Sequence, residues 1–190
     1  MQTIRSFIAI PLNREVSKAA IRLIGRLKEP DDGIKWVPTD NLHLTLKFLG
    51  EVENVEVPRI CDAIRGVVEE FEPFDLHFGG TTALPSMDRP RAIVSGIEDP
   101  SGSLTKIVET LELDLAELGF KREPRDYVPH LTLGRTKGGS RRASEAVVQR
   151  IRDHETTQLG MMGIDEVHLI GSFLDKKGPS YHVLDTIDLG

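Results

Sequence analysis

The chain has 190 residues, of which 39% are hydrophobic and 28% charged, with a formal net charge of −6. That length supports a substantial hydrophobic core, and the negative balance argues against indiscriminate binding along a nucleic-acid backbone. A single cysteine, Cys61, excludes an internal disulfide framework, and no stretch reaches the about 18 apolar residues of a membrane span. A cytoplasmic protein in a reducing compartment, with no membrane partner, is expected.

Ile4–Ile10 reads as a mostly buried strand stopped by Pro11. Asn13 is placed to cap a helix in which Val16, Ala20, Leu23, Ile24 and Leu27 recur at the helical period, ended by Pro30-Asp31-Asp32-Gly33. Lys35–Val37 is a short extended piece, and Pro38-Thr39-Asp40 turns into a strand over Leu42–Leu49, closed by Gly50. Pro58 starts a second amphipathic helix carrying Ile60, Ile64, Val67, Val68 and Phe71, with a strand at Phe74–Phe78. Gly79–Arg91, rich in Gly, Pro, Ser and Thr, reads as the loop between two halves. Ala92–Ile97 is an apolar strand; Ser101 or Ser103 caps a helix with Leu104, Ile107, Val108, Leu111, Leu115 and Leu118, ended by Gly119. Then come a strand at Val128–Thr136, a helix from about Ser140 to Asp153, and closing strands Asp165–Leu174 and Tyr181–Ile187.

Strand, helix, strand and helix thus occur in the same order twice. The phosphate-cradling glycine signatures of doubly wound parallel folds are missing, so an antiparallel α+β arrangement with helices on the outer faces is expected. The repeat is explicit in one tetrapeptide: His-Leu-Thr-Leu stands at His43–Leu46 and again at His130–Leu133. A chance second copy has odds on the order of a few per thousand. In an extended strand the side chains alternate, so His43 shares a face with Thr45 and His130 with Thr132, while the leucines face the core. Two such strands facing each other surround one pocket with two imidazoles, the side chains that give and take protons near neutral pH.

The second motif sits in the one basic stretch. Residues 121–142 hold seven Lys or Arg against two acidic residues, a balance of +5 in a chain of −6, and that favours an anionic ligand beside His130. Lys47 shares the His43 face under strict alternation and is a candidate for phosphate. Arg5, Arg91, Arg125 and Arg135 are candidates for further phosphates, where a guanidinium makes bidentate contacts. Phe7, Phe48, Tyr127 and Tyr181 are candidates to stack on a base, Tyr127 foremost because it lies beside the motif in the basic loop. His77, His154, His168 and His182 lack a motif context and are given no role. Threonine is a poor zinc ligand and neither Cys-x-x-Cys nor His-x-x-x-His occurs, so no metal or other cofactor is expected.

These residues resemble the two-histidine phosphoesterase superfamily, and within it the RNA 2′,3′-cyclic phosphodiesterases also known as 2′-5′ RNA ligases. The resemblance runs from Arg5-Ser6-Phe7-Ile8-Ala9-Ile10 through Trp36-Val37 and Asn41-Leu42-His43-Leu44-Thr45-Leu46-Lys47-Phe48-Leu49-Gly50 to Pro90-Arg91. It continues in Pro129-His130-Leu131-Thr132-Leu133-Gly134-Arg135, Leu169-Ile170-Gly171-Ser172 and Gly178-Pro179-Ser180-Tyr181. One departure is Val94, where many members carry an aromatic residue. The resemblance implies a single bilobal α+β domain over residues 1–190, its duplicated antiparallel sheets related by a pseudo-twofold axis about a central cleft. It implies metal-independent opening of a terminal RNA 2′,3′-cyclic phosphate to a 2′-phosphomonoester, with weak reversible 2′-5′ ligation. In that scheme His43 protonates the leaving oxygen, His130 activates water, and Thr45 and Thr132 donate to the non-bridging phosphate oxygens. The partner would be RNA with cyclic phosphate ends, tRNA-derived ends among them, and the protein a monomer. Two other readings stand beside this one: a phosphodiesterase for small cyclic nucleotides or ADP-ribose cyclic phosphate, and an RNA-binding module without turnover.

Overall fold

The described residues, 1–138 and 142–190 of a computed structural model, form nine strands and four α-helices. In chain order these are β1 (Thr3–Pro11), α1 (Arg14–Leu27), β2 (Ile34–Trp36), β3 (His43–Glu53), α2 (Val57–Val68), β4 (Phe74–Pro85) and β5 (Pro90–Glu98). Then follow α3 (Ser103–Glu117), β6 (His130–Thr136), α4 (Glu145–Asp153), β7 (Gln158–Ile164), β8 (Glu166–Asp175) and β9 (Gly178–Asp188).

Local chemistry accounts for the helix starts. The Asn13 side chain accepts from Val16 N at 2.8 Å, and the five apolar positions expected on α1 are all buried. At α3 the expected serine cap gives way to Asp99, whose carboxylate accepts from Leu104 N at 2.8 Å and Ser101 N at 3.1 Å; the Ser101 hydroxyl then accepts from Ser103 N. Ser140, read as the start of the fourth helix, lies outside the described residues; the helix begins at Glu145, with Ser144 Oγ accepting from Val147 N.

The strands form two antiparallel sheets, ordered β3-β1-β8-β9 and β2-β6-β5-β4-β7. Helices α2 and α3 contact the first sheet, α1 and α4 the second. Each lobe therefore carries a helix from the other half of the chain, and β1, α1, β3, α2 correspond to β5, α3, β6, α4 as the pseudo-twofold requires.

That exchange corrects the reading of Gly79–Arg91 as a connector between halves. The stretch is the second part of β4, the turn at 86–89 and the start of β5, all within one sheet. Gly79 and Gly80 make a bulge in β4, with Gly80 at φ 80°, and pairing with β5 resumes at Thr81. The sequence reading also missed β7, whose glycines and methionines have no strand pattern of their own; it is a strand because it pairs with β4.

Ile8, Ile10, Leu44 and Leu46 of the first sheet and Ile93, Leu131 and Leu133 of the second join one core under the helices. On the opposite face of the first sheet, Phe7, Ala9 and Ile170 form a small separate cluster. Strand β2 packs on the outer edge of β6, where a Cβ on Gly134 would meet Ile34 Cγ2 at 2.7 Å and Trp36 Cε3 at 2.8 Å. Gly134→Ala is therefore expected to cost about 1–3 kcal/mol. An unchanged midpoint in urea unfolding would show that β2 yields without cost.

Candidate active site

The two motifs have the same irregularity. Opposite β3, Ile8 pairs with Lys47 and Ala9 with Thr45, so Leu46 has no partner; opposite β6, Ile93 pairs with Gly134 and Val94 with Thr132, so Leu133 has none. Each strand is bulged at the fourth residue of its motif. A bulge inserts one residue and reverses the alternation beyond it. His43 and Thr45 share a face, as do His130 and Thr132. Beyond the bulge, Phe48 and Arg135 continue that face, while Lys47 and Gly134 turn away.

The faces meet. Strands β3 and β6 touch across a cleft of about 900 Å³ lined by His43, Thr45, His130 and Thr132, and by Lys47, Arg91, Arg125, Tyr127 and Arg135. All four motif side chains are half-buried. His130 donates from Nδ1 to the Val128 carbonyl at 2.7 Å, which leaves Nε2 with its lone pair in the neutral ring. His43 sits deeper, its ring edge-on to Tyr181 at 5.6 Å and to Phe7 at 6.4 Å between centroids, with a buried Nδ1 that lacks a partner of good geometry. The Asn41 amide donates to the Pro179 carbonyl at 3.0 Å, tying the turn before β3 to the start of β9 near Tyr181. Burial holds the His43 pKa below its ordinary 6.5, with the Asn41 backbone opposing and the His168 charge reinforcing the shift.

The remaining candidates divide. Arg91 and Arg135 are exposed in the cleft and form no salt bridge among the described residues. Arg125 is turned onto Glu123 at 2.9 Å. Tyr127 is a correction: its ring packs against the core, and its hydroxyl donates to the Thr45 carbonyl at 3.4 Å, so it brackets the first motif strand instead of offering a free stacking face. Burial pushes its phenol pKa well up. Phe48, 65% exposed and 5.9 Å from Phe7, holds the open aromatic position instead. Lys47 is the second correction. It is only 5% exposed, and its ammonium donates to Glu112 at 2.8 Å and to the Lys121 carbonyl at 3.0 Å. The bulge at Leu46, invisible in the alternation, is the cause.

Arg5 lies outside the cleft lining, as do His77, His154, His168 and His182. Val94 is buried opposite Thr132. Glu112, Lys121 and Arg122 line the cleft as well. Sequence reasoning gave Glu112 no role, because it lies among the polar positions of an ordinary amphipathic helix.

A family described as LigT like phosphoesterase matches residues 10–94 and again 96–181, one motif in each match. An RNA 2′,3′-cyclic phosphodiesterase of Methanothermobacter thermautotrophicus is 32% identical over 98% of this chain and 99% of its own. One from Thermotoga maritima is 33% identical over 95% of this chain and 92% of its own. Among solved structures, a protein of Thermus thermophilus aligns with a TM-score of 0.79 at 27% identity, covering 98% of each chain. Escherichia coli LigT complexed with 3′-AMP has the same fold, with a TM-score of 0.79 at 23% identity over 99% of each chain.

The His43 environment has a measurable consequence. Because the folded ring resists the proton that the unfolded chain accepts, this site subtracts stability as pH falls through 6.5 and below. NMR titration is expected to place the His43 pKa below 6.5 in the free protein and to move it upward in saturating inorganic phosphate, whose charge favours the imidazolium. A pKa unmoved by phosphate would mean that no anion sits beside this ring.

Proposed function

This chain belongs to the LigT-like phosphoesterase family, and from that premise we propose that it hydrolyses the 2′,3′-cyclic phosphate at an RNA end to a 2′-phosphomonoester. The observation that carries the reading is the pair of equivalently bulged strands, which sets both His-x-Thr faces on one cleft. In this reaction water attacks phosphorus in line with the departing ribose 3′-oxygen. A P–O bond to water forms, the P–O3′ bond breaks, and the proton lost on one side is replaced on the other. His130 serves as base: its Nδ1–H is held by the Val128 carbonyl, and Nε2 takes the water proton. His43 serves as acid and protonates O3′. Burial makes its imidazolium a stronger proton donor, and the bound phosphodiester anion restores the protonated fraction. Each transfer contributes about 10²–10⁴-fold. The Thr45 and Thr132 hydroxyls donate to the non-bridging oxygens as charge builds there.

With the 5′-hydroxyl of a second RNA in place of water, the same two transfers form a 2′-5′ linkage, so weak reversible ligation follows from the same machinery. The proton work is assigned to imidazoles, and the scheme is metal-independent. RNA is favoured over a small cyclic nucleotide by the cationic wall of Arg91, Arg135, Lys121 and Arg122, which exceeds the charge of one cyclic phosphate. Phe48 supplies a stacking face for a terminal base. Residues 1–190 would act as one bilobal unit, a cytoplasmic monomer working on cyclic phosphate ends, including those of cleaved tRNA. No helix among the described residues is long and apolar enough to cross a membrane.

His43→Ala and His130→Ala are each expected to lower kcat by about 10²–10⁴-fold with unchanged circular dichroism, since strand pairing and leucine burial do not use the rings. The wild type should show a bell-shaped pH profile, an unchanged rate in EDTA, and a product whose phosphate is on O2′ by mass spectrometry after selective 3′-dephosphorylation. Either variant keeping a near-normal rate contradicts the paired role. Equal kcat/KM for a cyclic mononucleotide and an oligonucleotide would favour the small-nucleotide reading, and RNA binding without turnover the non-catalytic one.

A further inference from the structure

The loop between α3 and β6 carries Arg122, Arg125 and Tyr127 into the cleft and leads directly into His130, yet it has no strand or helix of its own. Its position is set by one buried cluster. Lys47 Nζ donates to Glu112 Oε2 at 2.8 Å and to the Lys121 carbonyl at 3.0 Å, and the same Glu112 oxygen accepts the Glu123 N–H at 3.0 Å. The two side chains are 3% and 13% exposed. At the far end of the loop, the Tyr127 hydroxyl holds the Thr45 carbonyl. Every one of these tethers runs from the loop to β3 or to the helix packed on it. Removing two charges from water is costly, and such a pair persists where further hydrogen bonds satisfy both partners, as the backbone of the loop does here.

The corresponding position in β6 is Gly134, against which β2 packs, so the two motif strands use the same turned-in site differently: one supports a strand, the other a loop. We infer that Lys47 and Glu112 are positioning residues, a latch that fixes the 121–127 loop, and with it the cleft cations Lys121 and Arg122, against the first motif strand and so sets affinity for the polyanionic substrate. This assigns Lys47 no contact with phosphate. The inference rests on the reading of the cleft as an RNA phosphodiesterase site; the latch itself is a property of the fold and is testable without turnover.

The experiment is a double-mutant cycle with Lys47→Met, Glu112→Met and Lys47→Met/Glu112→Met. It is read by hydrogen–deuterium exchange over residues 121–127 and by KM and kcat on an oligonucleotide ending in 2′,3′-cyclic phosphate. The latch predicts faster exchange in the loop for every variant and a KM raised about tenfold with a smaller change in kcat, because binding then includes the cost of ordering the wall. It also predicts that the two single effects do not add. The double variant replaces the ion pair by an apolar pair and keeps the test valid should a single variant fail to fold. Unchanged exchange overturns the inference. So do additive effects in which Lys47→Met alone depresses kcat, since that is the signature of a lysine on the reacting phosphate. A wild type that turns over no cyclic phosphate defeats the phosphodiesterase reading, while the exchange arm still decides the latch.

Discussion

A strand shows every second side chain to the same face, and one inserted residue reverses that order. The cleft depends on this constraint, applied twice in the same way. In both His-Leu-Thr-Leu segments the leucines anchor the strand in the shared core, and the histidine and threonine are left on the opposite face. The unpaired fourth residue then brings Phe48 or Arg135 onto the face of the histidine and threonine and turns its predecessor, Lys47 or Gly134, inward. Without the bulges, strict alternation would set Lys47 and Gly134 beside the threonines, and the cleft would lose both an aromatic and a guanidinium.

The duplicated frame carries different ends. On the His43 side, Phe7 and Tyr181 stand edge-on to the ring with Phe48 beyond Phe7, and the curl of the sheet, closed by Asn41 on Pro179, buries it. On the His130 side the position matching Phe7 is Ala92, the position matching Phe48 is Arg135, and Arg91 stands beside them. Two imidazoles from one repeated motif therefore have different surroundings, one desolvated against aromatic rings and the other held open by a backbone carbonyl. That difference suits an acid and a base on opposite sides of one phosphorus atom, with a nucleoside toward the apolar wall and phosphates toward the charged one.

Much of this is legible in the chain. The histidines and threonines, the leucines that bury them into place, the cap at Asn13 and the apolar stripes of the helices follow from spacing alone. What is not legible is non-local. No local pattern distinguishes a strand that will bulge from one that will not, so alternation puts Lys47 on the wrong face and offers no reason for Arg135 to reach the cleft. Tyr127, in a basic loop, reads as available for stacking, whereas its ring packs on the core. Strand β7 exists because it pairs with the first part of β4, against the preference of its glycines, and the second part of β4 continues past the Gly79-Gly80 bulge because it pairs with β5. The exchange of α1 and α3 between lobes is set by which sheet face remains to be covered, and nothing in either helix marks it.

The account turns on both imidazoles addressing a single phosphorus, and the crystal structure of the protein with a uridine–vanadate complex tests that most directly. The expected result is one trigonal-bipyramidal vanadium with its apical oxygens within hydrogen-bond reach of His43 and His130, and its equatorial oxygens on Thr45 and Thr132. An apical oxygen that meets neither ring, or vanadate seated against one histidine alone, would contradict it.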